Sequence, residues 1–225
     1  MRIAESAMQR LVEGLHHFQS EIFGSQRALF ERLALGQRPE TMFITCADSR
    51  IDPNLLTQTA PGELFIMRNA GNFVPPYNPN SGEAATIEFA VAVIGVRDIV
   101  VCGHSHCGAV QAILDPPSPE KFPALTNWLS NAESTRRILR DKYPEADPRR
   151  LLNVAVQENV LMQLENLRTH PVVASGLAQG KLNLHGWVYK FETGEVFGYD
   201  PQTRQFSALT LHRDVSGAAT PARSV

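Results

Sequence analysis

The sequence predicts an α/β fold with a mainly parallel central β-sheet flanked by helices, an N-terminal helical arm and a C-terminal β return. Three short apolar runs, each partly β-branched, indicate buried strands, and segments of helical period separate them. Strands that are joined by helical crossovers run parallel in one sheet. Late in the chain, two β-patterned segments at 182–191 and 195–200 flank a turn at Thr193 and Gly194.

The arm, residues 1–36, is predicted to consist of two helices. Apolar residues recur at helical spacing, with polar residues between them, at Leu11, Leu15, Phe18 and Ile22. A second helix is expected from Gln26 to Leu35, and Gly36 can end it because glycine tolerates the positive φ of a C-cap. The apolar stripe can pack on its own domain or on a second subunit. We expect the second, because the arm lies outside the alternation of strands and helices.

Residues 37–212 are predicted to form a single domain, followed by a flexible tail at 213–225. The first three strands are expected at Thr41–Thr45, Leu64–Arg68 and Asp98–Cys102. Ser81 can cap the helix between the last two strands, and Gly95 can end it. Later helices are expected near Leu125–Lys142, within a proline-interrupted insertion, and at Leu151–Thr169 and Val172–Gln179.

Charge and hydropathy argue against several classes of partner. The chain has 21 basic and 23 acidic side chains, a formal net charge of -2, so no global field favours nucleic acid or an acidic membrane surface. No apolar stretch approaches the about 20 residues that cross a bilayer, and the first residues lack the apolar core of a signal peptide. We therefore expect a cytoplasmic protein with a small-molecule partner, no nucleic acid and no membrane.

Two clusters of chemically capable side chains each follow a predicted strand. The segment CADSR places Cys46, Asp48 and Arg50 after the first strand. The segment GHSHCG places His104 and Cys107 after the third. If strand geometry persists beyond position 45, residues 46, 48 and 50 point the same way. Ligands bind at the carboxyl ends of the strands in open α/β sheets, so we expect the two clusters to meet there.

Cys46, His104 and Cys107 together predict a zinc site. A Cys2His set is one of the combinations that leave tetrahedral zinc one open position, which Asp48 could fill or guard. Thiolates select zinc over magnesium or calcium, and a helix that begins after Cys107 would favour its thiolate. The separation of the two clusters far exceeds the roughly 12 to 20 residues of zinc fingers and ribbons, which favours a catalytic site.

Simpler interpretations of these residues stay open. The zinc could be structural and support no chemistry. An aspartate and an arginine two positions apart are commonly a solvated ion pair worth under about 1 kcal/mol. The third cysteine, Cys102, lies within an apolar strand and is expected to be a small buried hydrophobe.

The motifs C-x-D-x-R at 46–50 and H-x-x-C at 104–107 resemble those of the β-class carbonic anhydrases. The likeness extends through PGELFIMRNAGN (61–72), GEAATIEFAV (82–91), ENV (158–160) and LHGWVY (184–189), and it is greatest to the bacterial cyanate-operon and plant-like branch. It implies the β-carbonic anhydrase fold and a catalytic domain that binds one Zn²⁺ per chain through Cys46, His104 and Cys107. The activity it implies is the reversible hydration of CO2 to bicarbonate and a proton.

The resemblance also implies that Asp48 and Arg50 form a catalytic dyad. Two thiolates cancel the charge of Zn²⁺ and make it a poorer Lewis acid, so another group must assist. Asp48 is expected to accept a hydrogen bond from the attacking hydroxide, while the planar fork of Arg50 holds the carboxylate off the metal. Without that pairing Asp48 could become a fourth zinc ligand, as in the closed arrangement known in the family.

The same resemblance assigns a substrate pocket and an oligomer. The positions that match pocket residues are Gln37, Phe65, Ala70 and Phe89, and Gly108 offers a backbone N–H to bicarbonate. Ala70 departs from the valine that is common there. The pocket should be small and apolar, which suits CO2. The family residue at position 89 reaches across a subunit interface, so we expect a homodimer or a dimer of dimers.

Two further expectations concern regulation and proton transfer. Arg68 and Tyr189 match residues of an inhibitory bicarbonate site in one subclass, but Phe43 replaces its tryptophan and removes the indole donor. We therefore predict that this mode of inhibition is absent. His106 is expected to be a surface residue, although its ordinary pKa would also permit proton relay.

Two rival functions remain at this stage. Carbonyl sulfide or carbon disulfide hydrolysis could use the same fold, because those substrates are also linear and apolar. Alternatively, the chain could be a non-catalytic, zinc-stabilised module that binds bicarbonate or a protein partner. The open coordination position and the dyad argue against this second rival.

Overall fold

The computed structural model describes residues 6–210, except for the side chain at position 149. The predicted tail at 213–225 lies outside these residues. The strands are β1 (Thr41–Cys46), β2 (Leu64–Asn69), β3 (Asp98–His104), β4 (Asn183–Tyr189), β5 (Val196–Asp200) and β6 (Gln205–Ala208). The helices are α1 (Ala7–His17), α2 (Phe23–Ser25), α3 (Arg27–Ala34), α4 (Pro53–Thr57), α5 (Gly82–Glu88), α6 (Gly108–Leu114), α7 (Pro123–Leu129), α8 (Glu133–Lys142), α9 (Pro148–Arg168) and α10 (Pro171–Ala178).

The strands form a six-stranded sheet in the order β2-β1-β3-β4-β5-β6. The first four strands in this order are parallel, and β5 and β6 are added as antiparallel hairpins. Helices connect the parallel strands, whereas β4 and β5 are joined by a short turn in which Gly194 has a φ of 74°. The predicted fold class is therefore confirmed.

The two faces of the sheet bury different sets of side chains. On one face Met42, Ile44 and Val101 belong to the main core, and α9 packs closely over β3. This approach is close because Gly103 has no side chain: a Cβ there would lie 2.9 Å from Val160. On the opposite face, a smaller cluster consists of Phe43, Ile51, Val100 and Cys102. Burial raises the pKa of Cys102 to about 12, and its predicted role as a buried hydrophobe is confirmed.

The structure differs from the predicted elements at a few places. The first and third strands each continue to a predicted metal ligand, because β1 ends at Cys46 and β3 ends at His104. The helix predicted near 125–142 is broken by a 3₁₀ turn at Ser130–Ala132. There the side chains of Ser130 and Asn131 donate to backbone carbonyls three residues earlier, which competes with regular helix geometry. The strand β6 was not predicted at all.

The helical arm presents its apolar stripe to the outside of this chain. Its helix α1 continues through a π-helical segment, Phe18–Ile22, into α2 and α3. The exposed apolar residues along α1 are Met8, Leu11, Val12 and Leu15. Among residues 6–210, none of the helices combines the length and the apolar character that crossing a bilayer requires. The division into arm, domain and tail stays a prediction.

Candidate metal centre

The site lies at the topological switch point of the sheet, where two neighbouring strands are followed by connections that lead to opposite sides of the sheet. From β1 the chain moves to the edge strand β2 and then crosses back to β3, so β1 and β3 are parallel neighbours with a switch point between them. Cys46 is the last residue of β1, and His104 is the last residue of β3. Cys107 follows in the next turn, directly before α6. Ligand sites of open α/β sheets form at such switch points.

The three side chains converge on one buried point. One ligand atom from each of Cys46, His104 and Cys107 lies within 4.8 Å of the others. The two sulfur atoms are 3.9 Å apart. Two thiolates that bind one tetrahedral zinc at the usual bond length are about 3.8 Å apart. The donor set therefore fits a zinc ion, and its residues come from the two predicted clusters.

The imidazole of His104 is oriented for metal binding. Its Nδ1 lies 2.9 Å from the carbonyl oxygen of Ser105, which can only accept, so Nδ1 carries the proton. Nε2 then presents its lone pair, and this buried atom has no hydrogen-bond partner in the part of the chain that the structure describes. A buried polar atom without a partner costs about 1–3 kcal/mol. A second hydrogen bond that fixes the tautomer in this way is typical of histidines that bind metals.

The two thiols share their protons unequally. The Cys107 thiol donates to Cys46 and holds the pKa of Cys46 well below its usual value. The same contact, together with burial, raises the pKa of Cys107. The backbone N–H groups of Ala109 and Val110 at the start of α6 lower the pKa of Cys107, in the direction expected from the sequence, but the contact with Cys46 and burial act against them. The expectation of a thiolate at Cys107 in a zinc site stays a prediction.

A loop between β2 and α5 encloses Cys46 from a second side. The backbone N–H of Gly71 donates to Cys46 Sγ at 3.4 Å. The Gly71 carbonyl accepts from Asn159 of α9 at 3.0 Å. Further along α9, Gln163 Oε1 accepts from the Val74 backbone at 2.7 Å. These α9 amides are buried, so they hold the loop against the sulfur through hydrogen bonds that water does not compete for.

Asp48 and Arg50 form a bidentate pair beside the three ligands. Arg50 Nε and Nη2 donate to the two carboxylate oxygens of Asp48 at 2.9 and 2.7 Å. This pairing holds the pKa of Asp48 below its usual range. Asp48 Oδ2 lies 3.9 Å from His104 Nε2, so the carboxylate borders the site. The side chains do not meet by strand alternation, because β1 ends at Cys46 and a turn follows. The turn itself brings the Arg50 N–H to 3.0 Å from Asp48 Oδ1.

The predicted pocket residues are divided between the site and the outside of the chain. Phe65 and Phe89 pack with their ring centroids 6.1 Å apart, and the side chain of Phe89 is 46% exposed. Gly108 opens α6 next to Cys107. Ala70 precedes Gly71, and its carbonyl accepts from Trp128 at 2.8 Å.

Gln37 lies apart from the other predicted pocket residues. It is exposed and precedes the amino end of β1, whereas Cys46 ends the strand at its carboxyl end. Within one chain Gln37 therefore lies near the amino ends of the strands, whereas the candidate metal ligands lie at the carboxyl ends.

The residues of the second, inhibitory site have other contacts here. Arg68 donates to the backbone carbonyls of Cys46, Asp48 and Ile51 at 2.7–3.0 Å. Phe43 packs edge-on against Trp187, with ring centroids 6.0 Å apart. The absence of inhibition at this position stays a prediction. His106 is 59% exposed at its side chain, as expected of a surface residue.

Comparison with known proteins identifies the family. A family model described as "Carbonic anhydrase" matches residues 41–196. A curated relative from Synechocystis, named "Carbonic anhydrase", is 49% identical over 203 residues, which cover 89% of this chain and 74% of the relative. The solved structure described as that of the β-carbonic anhydrase CcaA has a TM-score of 0.89 at 49% identity and covers 91% of this chain and 100% of its own. The chain belongs to the β-carbonic anhydrases. The predicted resemblance is therefore confirmed.

A more distant family member gives information on assembly. One of the structures described as two tetrameric β-carbonic anhydrases from Sordaria macrospora is 27% identical to this chain, with a TM-score of 0.77. The match covers 86% of this chain and 97% of that one. The architecture is thus shared between this chain and a member of the family described as tetrameric.

The sequence did not predict the residues of α9 that hold the loop beside Cys46 in this β-carbonic anhydrase. Asn159 was noted only as part of the ENV motif, without a role, and Gln163 was not noted. A signal existed, because polar amides interrupt an otherwise apolar face of a long helix at 159, 163 and 166. Their partners lie about 90 residues earlier in the chain, which no local pattern reveals.

The substitution Asn159→Leu tests the support from α9. Leucine fills a similar volume but leaves the Gly71 carbonyl and one N–H of Gln163 without partners, at about 1–3 kcal/mol each. The backbone N–H of Gly71, which donates to Cys46 Sγ, then loses its fixed position. We expect about 10- to 100-fold weaker zinc binding, measured by chelator competition, together with a lower free energy of unfolding. The control Asn183→Leu removes an exposed amide at the other edge of the sheet and should leave zinc affinity unchanged. Unchanged affinity in Asn159→Leu would contradict this role.

Proposed function

We propose that this chain is a zinc-dependent carbonate dehydratase that interconverts CO2 and bicarbonate. The observation that carries the proposal is the buried convergence of Cys46, His104 and Cys107 beside the Asp48–Arg50 pair. Zinc would be held by these three residues, with Asp48 as an alternative fourth ligand in a closed state. When bound, zinc supplies the Lewis acidity that makes hydroxide available as a nucleophile near neutral pH.

In this proposal the protein's own groups orient the reaction. The carboxylate of Asp48 would accept a hydrogen bond from the nucleophile, which keeps its proton, and so direct a lone pair towards carbon. Its ionised state is ensured because Arg50 holds its pKa below the usual range. Gly108 is the first residue of α6, where a backbone N–H has no partner within the helix, and it can donate to bicarbonate.

The substrate would be bound by apolar surface rather than by charge. Phe65 and Phe89 present aromatic rings, and Ala70 is small. CO2 has no net charge and gains from leaving water, whereas its product is an anion that prefers solvent. A small apolar pocket therefore takes up the gas and favours release of bicarbonate.

Metal removal and reconstitution test the activity. We expect purified protein to contain about one zinc per chain and to accelerate CO2 hydration in a stopped-flow indicator assay. Chelation should abolish the acceleration, and added zinc should restore it, because the three ligands form a buried site that binds one ion. Carbonyl sulfide offered in parallel measures the rival hydrolase activity. Protein that binds no zinc, or zinc-loaded protein without CO2 hydration, would contradict the proposal.

The substitution Arg50→Ala tests the dyad separately from the metal. Asp48 loses both side-chain hydrogen bonds that hold it off the ligands. We expect kcat to fall by about 100-fold or more, the usual effect of removing a preorganised group of this kind, while zinc content stays at the wild-type level. Arg136→Ala removes another paired surface arginine and should not change kcat. Full activity in Arg50→Ala would exclude the role.

We further propose that the chain is a homodimer or a dimer of dimers. The support is the exposed apolar stripe of α1 together with Phe89 and Val93, which a second copy would cover. The position of Gln37 adds to this, because it can line a pocket only in a neighbouring chain. The Sordaria enzymes described as tetrameric support an assembly of this kind.

A charge on the arm tests the assembly. We expect Leu15→Asp to shift the sedimentation coefficient towards the monomer, because the carboxylate would be buried at the interface. Gln9→Asp places the same charge about 120° around α1 from Leu15, outside the apolar stripe, and should leave the assembly intact. If both variants sediment like the wild-type protein, the arm is not part of the interface.

A further inference from the structure

The turn between β4 and β5 contacts the dyad through the ring of Phe191. It spans residues 190–195 and is closed by hydrogen bonds between the backbones of Lys190 and Glu195 and of Gly194 and Lys190, both 2.9 Å. Phe191 stands at its start, and its ring lies under the guanidinium of Arg50, with 4.6 Å between Arg50 Cζ and the ring centroid. The sequence predicts this turn at Thr193 and Gly194 but not a role for it.

Arg50 needs more than its ion pair to stay in one orientation. Its side chain is 52% exposed, and exposed ion pairs contribute little because water and salt compete for both charges. Besides Asp48, Arg50 donates from Nη2 to the carbonyl of His106 at 3.1 Å. These hydrogen bonds lie in the plane of the guanidinium. The ring of Phe191 adds a cation–π contact to these hydrogen bonds, with 4.6 Å between Arg50 Cζ and the ring centroid.

Phe191 is itself held firmly against the ligand loop. Its ring lies 5.0 Å from the ring of His104 and 5.2 Å from that of Tyr189. Its backbone N–H donates to Ser105 Oγ at 3.0 Å. The adjacent Glu192 accepts from Ser105 Oγ at 2.8 Å and pairs with His106 Nε2 at 2.5 Å. The turn and the loop that carries His104 and Cys107 are thus one connected unit.

We propose that Phe191 is a positioning residue for the dyad. Its π-face holds the guanidinium of Arg50, so that the two donating nitrogens stay aligned with the Asp48 carboxylate. This inference rests on the proposed function, because it concerns how the dyad is kept ready for catalysis. In this proposal Phe191 serves catalysis through Arg50, and its packing against His104 is a separate contact that the ring retains when its face is only fluorinated. It should therefore affect kcat, and it should leave KM and zinc binding unchanged.

Fluorinated phenylalanines at position 191 test the proposal with little change of shape. Successive fluorines remove the negative potential of the ring face and weaken a cation–π contact in steps. From phenylalanine to the trifluoro derivative we expect kcat to fall about two- to five-fold, the equivalent of 0.5–1 kcal/mol. KM, zinc content and melting temperature should stay constant. A ring that served only as packing would leave kcat unchanged across the series, and that result would overturn the proposal.

Phe197 provides the matched control in the same hairpin. Lys190 Nζ lies 4.5 Å from the centroid of its ring, so it also makes a cation–π contact, but with a lysine outside the dyad. The same fluorinated series at Phe197 should leave kcat unchanged. If kcat falls equally in both series, the effect belongs to the hairpin as a whole and the proposal fails.

A structural measurement separates this inference from the proposed activity. Crystal structures of Phe191→Leu and Phe191→Tyr show directly where Arg50 lies. Leucine retains packing volume without a π-face, and we expect Arg50 to leave its bidentate contact in that variant. Tyrosine retains the face, and Arg50 should stay. Arg50 in place in Phe191→Leu would refute the positioning role even if the chain hydrates CO2. A displaced Arg50 in a protein whose wild type does not hydrate CO2 would refute only the function.

Discussion

The pairing of β1 with β3 is the constraint on which the site depends. The two strands are parallel neighbours, and each ends in a residue of the candidate metal site. Strand pairing fixes their carboxyl ends at a spacing of about 5 Å, so Cys46 and His104 are brought together by backbone hydrogen bonds rather than by their side chains. Cys107 then needs only one turn of chain to reach the same point. Everything else in the site is arranged around ligands whose positions the sheet already determines.

The cluster of Cys46, His104 and Cys107 carries an energetic cost. Among residues 6–210, His104 Nε2 has no hydrogen-bond partner although it is buried, and the two buried sulfur atoms are 3.9 Å apart. An unsatisfied buried polar atom costs about 1–3 kcal/mol, and packing alone would favour apolar residues at such positions. A ligand shared by the three side chains would remove this cost. If the proposed zinc binds there, its binding is therefore coupled to folding.

The sequence predicted the parts of this protein that depend on local pattern. Strands, their order along the chain and the two ligand clusters follow from short apolar runs and from the residues directly after them. The condition under which residues 46, 48 and 50 would share one face of a strand is not met, because β1 ends at Cys46 and a turn follows. Asn159 and Phe191 were not predicted as supporting residues. Their partners, Gly71 and Arg50, are distant in sequence, and only the packing of α9 and the hairpin onto the site brings them together.

Two different kinds of support hold the ligands and the dyad. The ligands are fixed from the protein interior, where the buried amides of α9 hold the loop at Gly71 without competition from water. The dyad is fixed at the surface, where Arg50 is half-exposed and its contacts are individually weak. Under the proposed function, substitutions in the β4–β5 turn would alter the dyad while zinc stays bound. Substitutions in α9 would act on the ligands first, because the loop that α9 supports contacts the sulfur of Cys46 directly. The proposal therefore places control of the rate and control of zinc affinity in separate parts of the chain.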